Sequence, residues 1–177
     1  MRNLTLILLA SFSVLTVGSF FLGRETKTEA VKPVEPVEVI DNRMQDVQDL
    51  AEANGFEPSE RIVRAILTAS DQYQIDALEL TAIGIVETGL GKYAKTRRNS
   101  NGTTDKGLFQ INTVNESQCV EYNLDSPEGS ALCAAKLLST IKAKRADYLG
   151  VYHSKTKAKK AKYMQKISQV LASASDK

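Results

Sequence analysis

Residues 80–112 read LTAIGIVETGLGKYAKTRRNSNGTTDKGLFQIN, and the fold turns on how this stretch is read. It opens apolar, ends its first part in a lone carboxylate, Glu87, and then runs through a polar loop into Gly107-Leu108-Phe109-Gln110-Ile111-Asn112. Just upstream, Asp76 followed three positions later by Glu79 predicts a helix start. The Asp side chain can accept from free backbone amides while the Glu reaches back. From there Leu80, Ile83, Gly84 and Glu87 share one helical face at i, i+3, i+4 and i+7. Glu87 therefore lies in line with the buried stripe, one turn beyond it. Burial disfavours the charged form of a carboxyl, which suits a proton donor working near neutral pH. Two readings stay open at this point: an acid at the edge of a cleft, or an exposed Glu at a helix end that Gly89 caps.

Working towards the N-terminus, Pro58-Ser59-Glu60 opens a predicted helix carrying Ile62, Val63, Ile66 and Leu67 to about Tyr73. Another begins near Asn42, with Met44, Val47, Leu50 and Ala51 on its apolar face and Gly55 as its stop. Neither holds an evident chemical group, so both read as packing elements. Residues 24–43, rich in Pro, Glu, Val and Lys, predict an extended spacer, because Pro33 and Pro36 favour open backbone. Before it, Leu4 to Gly23 is apolar and free of charge. Some 20 such residues are the length a helix needs to cross a bilayer, and no small-x-small cleavage pattern or lipid-accepting Cys follows directly. An uncleaved signal anchor is expected, in an inner membrane, with the N-terminus cytoplasmic and the rest in the periplasm. Export after signal cleavage is the alternative. About 150 residues would remain for one core.

Downstream, Glu116 to Ser126 reads as a polar connection. Ser126 as N-cap and Pro127 at the first position then start a helix through Leu132, Cys133, Ala134, Ala135, Leu137, Leu138 and Ile141. Cys119 and Cys133 are the only cysteines, and an even count outside the cytoplasm predicts a disulfide between them. Two Cys with one remote His do not suggest a metal site. The C-terminal part is basic: Lys142, Lys144, Arg145, Lys155, Lys157, Lys159, Lys160, Lys162 and Lys166 face only Asp147 until Asp176. A solvated helix face explains such a run, and attraction to an anionic polymer or membrane surface is the functional alternative. Little aromatic interleaving accompanies it, so no nucleic-acid partner is expected. For the 177-residue whole, 42% hydrophobic and 25% charged residues with a net charge of +2 describe an ordinary globular protein.

Glu87-Thr88-Gly89, the loop Asn101-Gly102-Thr103-Thr104-Asp105 and the run Gly107 to Asn112 together resemble the catalytic core of lytic transglycosylases of the soluble-transglycosylase type. Within that group the chain is most similar to the small enzymes associated with secretion, conjugation and phages. The run also resembles c-type lysozymes, whose loop has the form N-x-D-G-S-T-D-x-G-x-x-Q-I-N. The likeness covers roughly residues 75 to 155. It implies an all-α, lysozyme-like domain, here over residues 44–171 with a basic C-terminal helix and a tail at 172–177, behind the transmembrane helix at 1–23. Much of the family has Ser where this chain has Thr88; the hydroxyl survives. Ala134-Ala135 followed by Leu137-Leu138 is similar to the small-residue helix behind the family's cleft. The family's late motif supplies a Tyr that hydrogen-bonds the catalytic Glu and lines the cleft, which the resemblance places at Tyr152, in Tyr152-His153-Ser154. His153 itself, the chain's one His, reads as structural.

By that resemblance Glu87 is the catalytic acid, and Thr88, Asp105, Gly107, Gln110, Asn112 and Tyr152 are substrate-binding. Glycoside cleavage needs a proton on the leaving oxygen and stabilisation of an oxocarbenium-like centre. Lysozymes use a second carboxylate, and Asp105 matches it by position. Transglycosylases instead use the substrate's N-acetyl group, and the single Glu then drives the muramic acid 6-hydroxyl onto C1, giving a 1,6-anhydro end. Asp105 has a plain alternative role, because an Asp in Asn-Gly-Thr-Thr-Asp can hold a turn through backbone amides. The expectation is a transglycosylase acting on peptidoglycan glycan strands, with a lysozyme-type hydrolase and a non-catalytic wall-binding component as alternatives. A secretion, conjugation or phage machine is the implied partner. No metal or organic cofactor is implied.

Overall fold

The computed structural model describes residues 42–174 of the chain. The expected membrane anchor, nearly all of the spacer and the last residues of the tail lie outside them. Among the described residues, no helix is long and apolar enough to cross a membrane.

Among the described residues six α-helices carry the fold: α1 Asn42–Ala53, α2 Glu60–Tyr73, α3 Ala77–Thr88, α4 Pro127–Lys142, α5 Tyr148–His153 and α6 Lys157–Ala172. Their starts are written in the sequence. The Asp76 carboxylate accepts from the amides of Leu78 and Glu79, and the Ser126 hydroxyl accepts from the amide of Gly129 ahead of Pro127. The reciprocal half of the Asp76 arrangement is absent, because Glu79 accepts instead from the Tyr148 hydroxyl and ties α3 to α5. At the far end of α3, Gly89 takes a left-handed conformation at φ 59°, and its amide reaches the carbonyls of Gly84 and Ile85.

Sequence spacing suggested one buried stripe on α3, and the structure corrects this. Leu80, Thr81, Ala82, Ile83, Gly84, Ile85 and Thr88 are all buried, because α3 packs against α1, α2, α4 and α6. A helix apolar on every side is a central one. Around it, α2 packs along α4, and α5 joins α4 to α6. Ala131, Ala134 and Ala135 are fully buried, so the small residues of α4 let neighbouring elements come close.

Between α3 and α4 the polar loop holds a feature that the sequence reading left as loop: a three-stranded antiparallel sheet. Its strands are β1 Arg97–Arg98, β2 Thr104–Lys106 and β3 Ile111–Asn112, paired in that order. Asp105 stands opposite Arg97 on one side and Asn112 on the other. A 3-10 helix, Thr113–Gln118, follows where a polar connection was expected, capped by the Asn112 side chain accepting from the Val114 amide. The Cys119–Cys133 disulfide, with a Cα–Cα distance of 5.5 Å, pins the segment after this helix to α4.

Candidate active site

Glu87 occupies the penultimate position of the central helix, and its side chain is only 15% exposed. Gly89 does cap the helix, and Glu87 beside it is shielded, not a solvated terminal residue. The next residue explains the geometry. Thr88 is buried, and its hydroxyl donates to the Leu108 carbonyl at 2.7 Å and accepts from the Gly91 amide at 3.1 Å. The helix end is thereby locked to the Gly107–Asn112 run.

That run is held from behind by α4. The Phe109 amide donates to the buried Ser130 hydroxyl at 3.1 Å, and Phe109 and Ile111 sit in the core. Gly107 has φ +71°, and a Cβ there would lie 2.1 Å from the Leu124 carbonyl oxygen. Only glycine allows this approach. The turn then presents Gln110, itself at φ 48°, whose amide donates to the carbonyls of Gly107 at 3.0 Å and Lys95 at 3.3 Å.

Asp105 sits within the sheet. Its two carboxylate oxygens accept from Asn112 Nδ2 at 2.6 Å and Asn99 Nδ2 at 2.9 Å. Asn112 Nδ2 also donates to Thr103 Oγ1 at 3.0 Å, and Asn99 bridges the same hydroxyl at 3.1 Å. Asn112 therefore acts twice, fixing Asp105 through its amide nitrogen and capping the 3-10 helix through its oxygen.

Tyr152 reaches the site from α5. Its hydroxyl donates to the Phe109 carbonyl at 2.9 Å, where the resemblance implied a bond to Glu87. A phenol has one proton to donate, and here the Phe109 carbonyl takes it. Burial pushes the Tyr152 phenol well above its ordinary value, and the charges of Glu87 and Asp105 push it further. Both candidate carboxylates thus act on one phenol, so the structure brings Glu87, Asp105 and Tyr152 into a single neighbourhood.

The sequence reading missed Tyr163. Its phenol is buried and makes no hydrogen bond of ordinary geometry, and its strongest charge interaction is with Glu87. Burial first, and then the Glu87 carboxylate, push it far up. The available signal was spacing: Tyr163, Ile167 and Val170 form the buried face of α6, and Tyr163 is the aromatic residue within the lysine run. The His153 ring lies flat on Tyr163, centroids 4.4 Å apart at 3° between planes, and its Nδ1 is 3.7 Å from Glu87 Oε1.

A groove of about 450 Å³ borders this end of α3, lined by Phe56, Ile62, Gly89, Leu90 and Lys92 among others. A second, of about 380 Å³, lies between α2 and α4 beside the Arg61–Glu128 ion pair and holds none of the candidate residues. The exposed Lys157, Lys159, Lys162 and Lys166 form the outer face of α6, whereas Lys160 turns inward to pair with Asp147.

The central helix of this helical domain thus ends in a shielded carboxylate, and Thr88 ties that end to the polar turn at Gly107–Asn112. The family model described as the transglycosylase SLT domain matches residues 64–167, and the chain belongs to that family. No curated protein and no solved structure matches it. Family membership makes peptidoglycan the substrate class and lytic cleavage of its glycan the family's activity.

Proposed function

We propose that this protein is a peptidoglycan lytic transglycosylase that cuts the bond between N-acetylmuramic acid and N-acetylglucosamine with Glu87 as its single acid and base. Glu87 protonates the leaving oxygen, the substrate's N-acetyl group stabilises the developing charge, and the resulting carboxylate accepts the proton of the muramic acid 6-hydroxyl. That hydroxyl closes onto C1 and leaves a 1,6-anhydro end.

The observation that carries this reading is the unequal treatment of the two carboxylates. Asp105 has both oxygens committed to Asn99 and Asn112, which suits a residue that shapes the sheet. Glu87 is shielded but has no such pair of amides, which suits a group that must gain and lose a proton. Thr88 and Gly107 serve the cleft from behind, through the Leu108 carbonyl and the Leu124 backbone. Gln110, Asn112 and Tyr152 shape the sugar-facing side.

Residues 1–23 hold the domain at a membrane in this account, with the spacer lifting it towards the wall and the lysine face of α6 attracted to an anionic surface. A reporter fused after Lys177 that works only in the cytoplasm would refute that orientation. The test of the enzyme is Glu87→Gln: lysis of purified wall is lost while wall binding persists. Unchanged lysis would remove Glu87 as the acid, and wall binding without any lysis by the wild type would leave a binding component.

A further inference from the structure

We propose that His153 is a positioning residue for Glu87, its imidazole seated flat on Tyr163 and holding the carboxylate in place beside the cleft. The inference rests on the reading of Glu87 as the reacting group. Three observations carry it. Nδ1 of His153 lies 3.7 Å from Glu87 Oε1, within ion-pair range and a small closing movement from a direct hydrogen bond. The ring cannot turn freely, because stacking on Tyr163 at 4.4 Å fixes its plane. Tyr163 in turn is fixed, since it is buried on the inner face of α6.

The arrangement resembles other catalytic pairs in which one polar side chain orients the next, with contacts that lengthen in the free protein and tighten around substrate. The buried Tyr163 hydroxyl points the same way: it makes no hydrogen bond of ordinary geometry, and the carboxylate it interacts with is Glu87. His153 and Tyr163 therefore form one face against the acid, contributed by α5 and α6. The titratable groups facing the imidazole are Glu87 on α3 and Tyr163 on α6; on its own α5, Tyr152 turns its proton to the Phe109 carbonyl. At 43% exposure the imidazole also remains open to solvent, so substrate can displace water from it.

His153 is the chain's only histidine, so its ring nitrogens give unambiguous NMR signals. The tautomer a histidine adopts is set by the bond its nitrogens make. The experiment compares 15N spectra of the full-length protein and its Glu87→Gln variant in mild detergent, alongside kinetics of His153→Ala and His153→Gln on soluble glycan strands. Pairing predicts that Glu87→Gln changes the Nδ1 shift and tautomer balance. Loss of positioning predicts a kcat roughly ten- to a hundredfold lower in His153→Ala with KM within about twofold, and substantial recovery in His153→Gln. Nδ1 and Nε2 signals unchanged in Glu87→Gln would overturn the pairing. A kcat within about twofold of wild type in a folded His153→Ala protein would overturn the positioning role. If the protein released no sugar product at all, the nitrogen spectra would still decide the contact, so this failure and that of the enzymatic reading stay distinct.

Discussion

The Thr88 hydroxyl donates to the Leu108 carbonyl at 2.7 Å, joining the last residue of the helix that carries Glu87 to the run that carries Gln110 and Asn112. The helix end at Glu87 and the Gly107–Asn112 turn are thereby one mechanical unit. Replacing Thr88 with Val keeps the shape and leaves the buried Leu108 carbonyl and Gly91 amide without this partner. The cost is expected at about 1–3 kcal/mol of stability, with a fall in lysis, whereas Thr88→Ser retains both. Denaturant midpoints and turbidity assays on purified wall check it. Equal stability of Thr88→Val and Thr88→Ser would contradict the lock.

Gly107→Ala tests the same unit from the other side. The added Cβ must displace the Leu124 carbonyl and the Ser130 hydroxyl, in a backbone conformation that alanine disfavours. A loss of at least about 2 kcal/mol is expected, read as a lower thermal midpoint. A Gly107→Ala protein as stable as wild type would show that the close approach is not needed.

Asp105→Asn separates shaping from catalysis. An asparagine offers one carbonyl oxygen where the carboxylate accepts from Asn99 and Asn112 together, so one of the two bonds is lost. Stability is expected to fall by about 1–2 kcal/mol, and activity partly, with the chemical nature of the product ends unchanged. Complete loss of cleavage in a folded Asp105→Asn protein would instead make Asp105 the second carboxylate of a hydrolase.

Reduction of the Cys119–Cys133 bridge frees a loop of about 15 residues, worth about 3 kcal/mol in the chain-entropy model. A lower thermal midpoint under reductant is expected, with the thiols unreactive until reductant is added. Full thiol labelling of unfolded, unreduced protein would rule the bridge out.

Asp147 supplies a pH test. The Arg145 guanidinium and the Lys160 ammonium hold its carboxyl well below the usual range. A carboxyl depressed in the folded state contributes stability at and above its unfolded value, and that contribution disappears as pH falls through the folded one. The thermal midpoint of Asp147→Asn is therefore expected to lie below wild type at neutral pH, with the gap closing below the ordinary carboxylate range. A gap that widens on acidification would contradict this assignment.

Much of this architecture is legible in the residues. Asp76, Ser126 with Pro127, and Gly89 mark helix ends by their own chemistry, and the structure uses each, except that Glu79 turns to Tyr148 instead of reaching back to Asp76. The spacing Val47, Leu50 and Ala51 gives the buried face of α1. The sheet was hidden because β1 and β3 are two residues long and β2 three, too short for alternation to register. Its cause is lateral: Asn99, Thr103, Asp105 and Asn112 bond one another across strands, and such partnerships are not written in local spacing. The direction of the Tyr152 hydroxyl was beyond reach for the same reason. It depends on where the Phe109 carbonyl points, and a strict turn at Gly107 and Gln110 decides that.

The central claim is tested most directly by mass spectrometry of the sugars released from purified peptidoglycan by the full-length protein in mild detergent, beside its Glu87→Gln variant. The account predicts 1,6-anhydro-muramyl ends from the wild type and none from Glu87→Gln. Reducing muramic acid ends would contradict it and make this a hydrolase; anhydro ends that persist in Glu87→Gln would remove Glu87 from the chemistry.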